Sequence, residues 1–396
     1  MRRIAAAGLL IAMLRGVGVA GPPTNDAPHY DRDDTAGASA TATGMTTPGP
    51  TPSPGPSPGP SPGPSPGPSP GPSPGPSPGP SSTATPWLDE STAAGSPVLA
   101  PHARSQPHHH AAVITLAALY AGFIGWTYVA WYRRPWRDFR WGGDGTWKLW
   151  QHDSWFGTKQ YAGGADKMGH AWATSALARA GTEMLSQWGH YGRLKSALIG
   201  TAASEALFFG VEVTDGFTYR FSYGDFTFNT LGALFAFAQS MSPTFDRLVD
   251  LRVDERPSQA FRDQVVDNGD VDIAEDYSGQ TYHLAFHLGG IPPLRAAKWG
   301  AWSQFVDVTL GFETRGYKPD PLYTISPTMP DFPKRQTMFA GVSLNVQGLG
   351  DYLLHRRAPT AAKVVHAITE VFSIPYTVVR AVDTTRRPGG TVPDDQ

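Results

Sequence analysis

Asp166-Lys167-x-x-His170, Glu212-x-x-Asp215 and Ser222-x-x-Asp225-x-x-x-Asn229-x-x-Gly232 fall within one stretch of 67 residues, Asp166 to Gly232. Each cluster sits on or beside an apolar, small-residue-rich segment of helical length. Such segments normally avoid charge, and carboxylates inside them tend to face a bundle interior or a wet cavity. Three acidic clusters in succession therefore suggest one shared polar site. Asp166 and His170 are four apart and share a helical face. Glu212 and Asp215 are three apart near the C-terminal end of an apolar helix, where they oppose the helix dipole. A cation, a proton or a donor such as Lys167 has to compensate them. Glu205, seven residues before Glu212, lies on roughly the same face. Ser222 can cap the following helix with Asp225 at its third position, an Asp variant of the capping box. Asn229 follows one turn later on the same side.

Each cluster also has a purely structural reading. Asp166 can stabilise a first turn, His170 can be a satisfied core histidine, and Ser222 with Asp225 can be a cap. Taken together they offer three chemistries. Oxygens and nitrogens of His170, Glu212, Asp215 and Asp225 can hold a divalent cation. Asp166 and His170 can act as an acid/base pair. The whole set, with Lys167, Ser222 and Asn229, can be a closed hydrogen-bond network that locks helix packing. No Gly-x-Ser-x-Gly, His-Glu-x-x-His or phosphate-loop pattern names an enzyme class.

Outward from this stretch, four helices are expected within 111–242. Ala111 to Tyr132 carries no charged residue, ends in Trp126, Tyr128, Trp131 and Tyr132, and is followed by four arginines. Its length (~33 Å) and its aromatic and basic flank suit a membrane crossing. Trp136 to Gly164 reads as an aromatic connecting loop at an interface. Asp166 to about Gln187 forms the second helix, with Arg179 and Glu183 paired at i, i+4. Leu194 to Asp215 and Ser222 to the residue before Pro243 form the third and fourth. Gly200 with Ser204, and Gly232 with Ala236, offer small faces for close packing.

Residues 1–20 read as an export signal: Arg2 and Arg3, an apolar run from Ile4 to Leu14, and a small-residue cleavage site at Gly18-Val19-Ala20. Residues 21–110 read as a disordered tether. Unbroken Ser-Pro-Gly-Pro repeats from Ser53 to Pro80 form a polyproline spacer of ~90 Å, and His108-His109-His110 reads as a solvated loop run. Residues 243–276 are polar and acidic and read as a linker. Within 277–348 the pattern turns to period two, as in Tyr282, Leu284 and Phe286 against His283, Ala285 and His287. That predicts a small antiparallel sheet of half-buried strands, apolar face packed and polar face wet. Residues 349–396 are expected to give one short helix, Ala361 to Phe372, and a loose tail. The fold class is thus mainly α: a membrane-associated four-helix bundle followed by a small sheet, α+β, behind a Pro-rich disordered region.

The chain of 396 residues has a formal charge of -2 and no cysteine. Nucleic-acid binding has no basic, aromatic-interleaved run to support it. Disulfides, thiolate metal sites and a cysteine nucleophile are excluded. Membrane lipid and other envelope proteins are the expected partners, and a divalent cation is the one cofactor the clusters suggest.

The three spaced motifs resemble those of the YfiM-like family, an uncharacterised group of bacterial cell-envelope proteins, over about 166 to 240. Asp276-Tyr277-Ser278-Gly279-Gln280-Thr281-Tyr282, Gly311-Phe312-Glu313-Thr314-Arg315-Gly316-Tyr317 and Arg335-Gln336 are similar to larger members. A fainter similarity to VanZ-like membrane proteins rests on the same Asp-Lys…His, Glu and Asp…Asn…Gly order. The resemblance implies a membrane-associated envelope location facing the periplasm and no established activity. With no cysteine to carry lipid, it does not imply lipoprotein anchoring. An envelope scaffold holding an ion or lipid headgroup is the first expectation. A metal-assisted or acid/base hydrolase or transferase on an envelope lipid or glycan is the other.

Overall fold

The computed structural model describes residues 108–132, 135–142, 155–262, 273–298, 300–317, 333–355 and 357–388. The expected export signal, most of the tether, and the tail beyond residue 388 lie outside the described residues.

Four long helices form first: α1 (His109–Ala130), α2 (Ala165–Glu183), α3 (Arg193–Thr218) and α4 (Tyr223–Met241). Their ends follow local chemistry. Ser222 caps α4, its Oγ accepting from the Asp225 N–H at 3.0 Å. α2 runs on into a single π-turn at Met184–Trp188. The tether's expected limit at residue 110 moves back, because His109 and His110 already form the first turn of α1.

Small residues set how closely α2, α3 and α4 approach. A Cβ on Gly232 would collide with the Ala171 carbonyl of α2, and one on Gly200 would lie 2.8 Å from the Ala178 carbonyl. Ser204 Oγ donates to the Thr174 carbonyl at 2.8 Å, tying α3 to α2. α1 packs more lightly. Leu116 faces Gly181 and the Phe123 ring meets Phe208, but Val113, Ile114, Ile124 and Val129 stay exposed. α1 and α3 are both long and apolar enough to cross a membrane.

The expected Arg179–Glu183 pair does not form. Arg179 instead reaches Asp246 at 2.6 Å and Glu370, while Glu183 accepts from Gln187 Nε2 at 2.8 Å. Burial decides this: a guanidinium enclosed by the fold needs enclosed carboxylates, and Arg179 is buried.

The expected linker is corrected. Within it, Val249–Glu255 is a strand, β1, preceded by a helical turn at Pro243–Asp246. β1 joins β2 (Gln280–His287), β3 (Val306–Arg315), β4 (Arg335–Leu344) and β5 (Val378–Arg386) in an antiparallel meander ordered β1-β2-β3-β4-β5. The expected single C-terminal helix and loose tail are corrected too. Residues 349–388 contain most of α5 (Val346–Leu354), all of α6 (Pro359–Val371) and β5.

This sheet is rolled. Phe372 makes a parallel bridge with Val253 on the free edge of β1, and Val378 opens β5 beside β4. In a flat sheet those positions would be five strand spacings apart, ~24 Å, whereas six residues span ~21 Å at most.

The expected strand faces are reversed. Asp250, Arg252, Asp254, His283, His287, Asp307, Thr309, Glu313, Thr337 and Ser343 lie on the buried face. Val308, Leu310, Val342, Leu344, Val379 and Val382 lie on the exposed one. The polar face is affordable because its charges pair among themselves. At one end the apolar face is covered: Val253, Tyr282 and Phe312 pack with Trp155, Phe156 and Ala165 ahead of and at the start of α2. The expected connecting loop therefore supplies core residues as well as exposed Trp136 and Trp141; Trp147 and Trp150 lie outside the described residues.

Candidate functional site

α2, α3 and α4 bring most of the clustered residues to one place. Asp166 and Lys167 lie in the first turn of α2, and their side chains pair at 2.7 Å. Lys167 Nζ also meets Asp225 Oδ1 of α4 at 2.8 Å and lies 3.5 Å from Ser222 Oγ. One ammonium thus joins two carboxylates on different helices. Burial works against the charged ammonium, but Asp166 and Asp225 overcome it and hold the Lys167 pKa above its ordinary value. Burial likewise works to raise the Asp225 carboxyl; Lys167 and then His170 outweigh it and keep it below the usual range.

His170, one turn after Asp166, faces α3 and α4. Its Nδ1 lies 3.0 Å from Asn229 Oδ1 and 3.4 Å from Glu212 Oε1. Both neighbours are acceptors, so Nδ1 carries the proton. In a neutral ring that leaves the lone pair on Nε2, 3.9 Å from Asp225 Oδ1. Asn229 is fully buried and is oriented by Thr174 Oγ1, which donates to its Oδ1 at 3.0 Å. Its Nδ2 then donates to Glu212 Oε1 at 3.1 Å. The other Glu212 oxygen, Oε2, is buried without a hydrogen-bond partner. His170 is the member that reaches solvent, with a side chain 20% exposed against 0% for Glu212.

His170, Glu212 and Asp225 each offer a ligand atom, and these lie within 4.8 Å of one another. Ligands ~2.1 Å from a tetrahedral ion sit ~3.4 Å apart, so the widest pair would close by ~1.4 Å on binding. Charge points the same way. Asp166, Glu212 and Asp225 are buried beside one buried ammonium, so Glu212 either holds a proton or, once ionised, needs a further cation beside it.

Asp215 is not brought into this group. Its position three residues after Glu212 turns it towards α1, where Tyr132 donates to Oδ1 at 2.9 Å. Glu205 also stays apart, accepting from Thr230 at 2.8 Å. Thr174 was not anticipated, although it lies one turn beyond His170 on the same face.

Residues 152–240, which contain Asp166, Lys167, His170, Glu212, Ser222, Asp225 and Asn229, match a family model described as "Predicted periplasmic lipoprotein (DUF2279)". No curated protein and no solved structure matches the chain. The matched family is an uncharacterised bacterial envelope family, and the location it gives is the cell envelope, membrane-associated and facing the periplasm.

Proposed function

We propose that this protein is an envelope scaffold whose helical bundle binds a divalent cation through His170, Glu212 and Asp225. α1 crosses or enters the membrane, and the bound cation clamps α2, α3 and α4 together. The observation that carries the reading is the unpartnered, buried Glu212 Oε2 within a cluster whose carboxylates outnumber its ammonium. Lys167 is already committed to Asp166 and Asp225, and Asn229 to the other Glu212 oxygen. A cation reached past the partly exposed His170 supplies the missing charge. The YfiM-like resemblance of residues 166–240, and the fainter VanZ-like one, support giving these residues one shared role.

The test is metal content and thermal stability of purified protein, wild type beside Glu212→Gln. Stoichiometric divalent metal in the wild type, lost in the variant, is expected, with chelation lowering the wild-type Tm only. At a hundredfold excess over Kd a ligand adds ~2.7 kcal/mol, so the shift is readily measured. A wild type that purifies without metal and gains no stability from added divalent cation would overturn the reading and leave the cluster as packing.

A second reading is favoured by one feature: His170 is the most exposed of the three candidate ligands, and a neutral ring would present an Nε2 lone pair. An acid/base hydrolase or transferase acting on an envelope lipid or glycan would use that atom. His170→Gln would then abolish turnover of such a substrate while leaving Tm in place, whereas the scaffold reading has it lower Tm and metal affinity together.

A further inference from the structure

The reversed sheet leaves an apolar surface that the fold does not cover. Val308, Val342 and Val379 are register partners across β3, β4 and β5, and Leu310, Ala340 and Val382 form the next row. Val379 and Val382 are 75% and 66% exposed, Leu310 48%. Soluble monomers rarely show a contiguous apolar face of this kind, and apolar-out, polar-in strands are the pattern of sheets in contact with lipid.

The same sheet ends in arginine. A cleft of about 520 Å³ opens there, with Arg256, Arg315, Arg335 and Arg387 in its wall and no acidic side chain among the described residues that line it. Arg315 and Arg335 are direct partners in the β3–β4 register. Like charges placed opposite one another repel, and Glu313 supplies part of the counter-charge. Glu313 lies behind, 2.8 Å from Arg315 and 2.6 Å from Arg380. Arg315 is fixed by donating to the Ser278 and Gln280 carbonyls at 2.9 and 3.1 Å. Its Nη atoms are also taken up by the Thr314 carbonyl, Thr281 Oγ1 and Glu313, so what it offers the cleft is fixed charge rather than a free N–H. Along β5, exposed Val382 leads to Arg387 in five residues, ~17 Å, about one leaflet of hydrocarbon.

We propose that the outer face of β3–β5 rests against a lipid leaflet and that Arg256, Arg315, Arg335 and Arg387 bind the phosphate of an anionic phospholipid. Arg315 and Arg335 continue the polar rows of Glu313 and Thr337 to the end of the sheet, so a headgroup would meet them at the sheet's rim beside the apolar face. This rests on the membrane-associated location and is independent of the cation site.

The chain's lack of cysteine makes the test direct. Val382→Cys, labelled with an environment-sensitive fluorophore, is reconstituted as full-length protein in vesicles of phosphatidylcholine with or without phosphatidylglycerol. Acyl-chain nitroxides should quench the label and aqueous iodide should not. Protection should need phosphatidylglycerol and should weaken roughly tenfold or more when Arg335→Gln and Arg387→Gln are added. Quenching by iodide in every vesicle overturns the proposal. Protection from both quenchers with a doubled particle mass overturns it in favour of a second copy covering the face. Lipid quenching indifferent to headgroup and to the arginine variants overturns the headgroup assignment. Vesicle protection that needs no phosphatidylglycerol, with inorganic phosphate alone raising the Tm of the wild type but not of the arginine variants, overturns the headgroup assignment in favour of free phosphate.

Discussion

Two buried polar clusters in this molecule differ in their charge balance. In the sheet, Asp250, Arg252, His287 and Asp307 close on one another. Arg252 meets Asp250 at 2.6 Å and Asp307 at 3.2 Å. His287 meets the same two carboxylates at 3.0 and 2.8 Å. Burial works to lower the His287 pKa, yet Asp250 and Asp307 raise it to about 9, so the ring is charged at neutral pH. Two cations then balance two anions, and of these four side chains only Arg252 Nε lacks an acceptor. In the bundle, three carboxylates share one ammonium and a carboxylate oxygen is left over. A balanced network needs nothing from outside and belongs to architecture; an unbalanced one invites a proton or a cation.

The sharpest way to break this comparison is to unbalance the sheet. Arg252→Met leaves Asp250 and Asp307 buried with one cation between them, a loss of ~3–5 kcal/mol by the usual cost of stranding a buried charge. Glu212→Gln removes an excess charge instead, and in chelator it should leave stability unchanged or raise it. Chemical denaturation of both variants checks the pair of outcomes. Equal losses would mean that the two clusters do the same work.

Acidity probes the same network. The folded His287 pKa of about 9 lies above its unfolded value of 6.5, so its contribution is complete below the unfolded value and fades as pH rises through about 9. The shift corresponds to ~3 kcal/mol at most. The Asp250 carboxyl moves the other way: burial raises it, but Arg252 and His287 hold it well below the usual range. Its contribution is present above the unfolded carboxylate pKa of ~3.9 and lost as pH falls beneath it. Unfolding free energy followed from about pH 6 to about pH 10 should fall in the wild type more than in His287→Gln. Parallel curves would show that the imidazole is not charged in the fold.

How much of this was legible follows from the range of each signal. Helix limits came out within a few residues because signals such as the Ser222 cap and Pro243 act locally. The shared site on α2 to α4 was legible because i, i+4 spacing fixes a face. Asp215 was not separable from Glu212, since three residues along a helix leave a rotation that only the position of Tyr132 resolves. β1 was hidden for a different reason. Val249-Asp250-Leu251-Arg252-Val253-Asp254 alternates perfectly, but alternating charges read as solvated until their partners, His287 and Asp307, arrive from other strands. The same holds for the sheet's sidedness. Period two separates two faces without saying which is enclosed, and here long-range charge pairing and the wrapping of α5 and α6 enclosed the polar one.

The smallest effect tests the dual role of Ser222, which belongs to both readings of the bundle. As an N-cap, its Oγ accepts the Asp225 N–H, and Ser222→Ala should cost ~1 kcal/mol wherever the cap is all that is lost. Its contact with Lys167 at 3.5 Å is long for a strong hydrogen bond, so the ammonium should keep its place between Asp166 and Asp225. Metal content should therefore stay at the wild-type level while Tm drops slightly. A fall in metal content with Ser222→Ala, out of proportion to that drop, would mean that the start of α4 holds Asp225 in position for the cation. The cap would then join the bundle's unbalanced cluster rather than serve the helix alone.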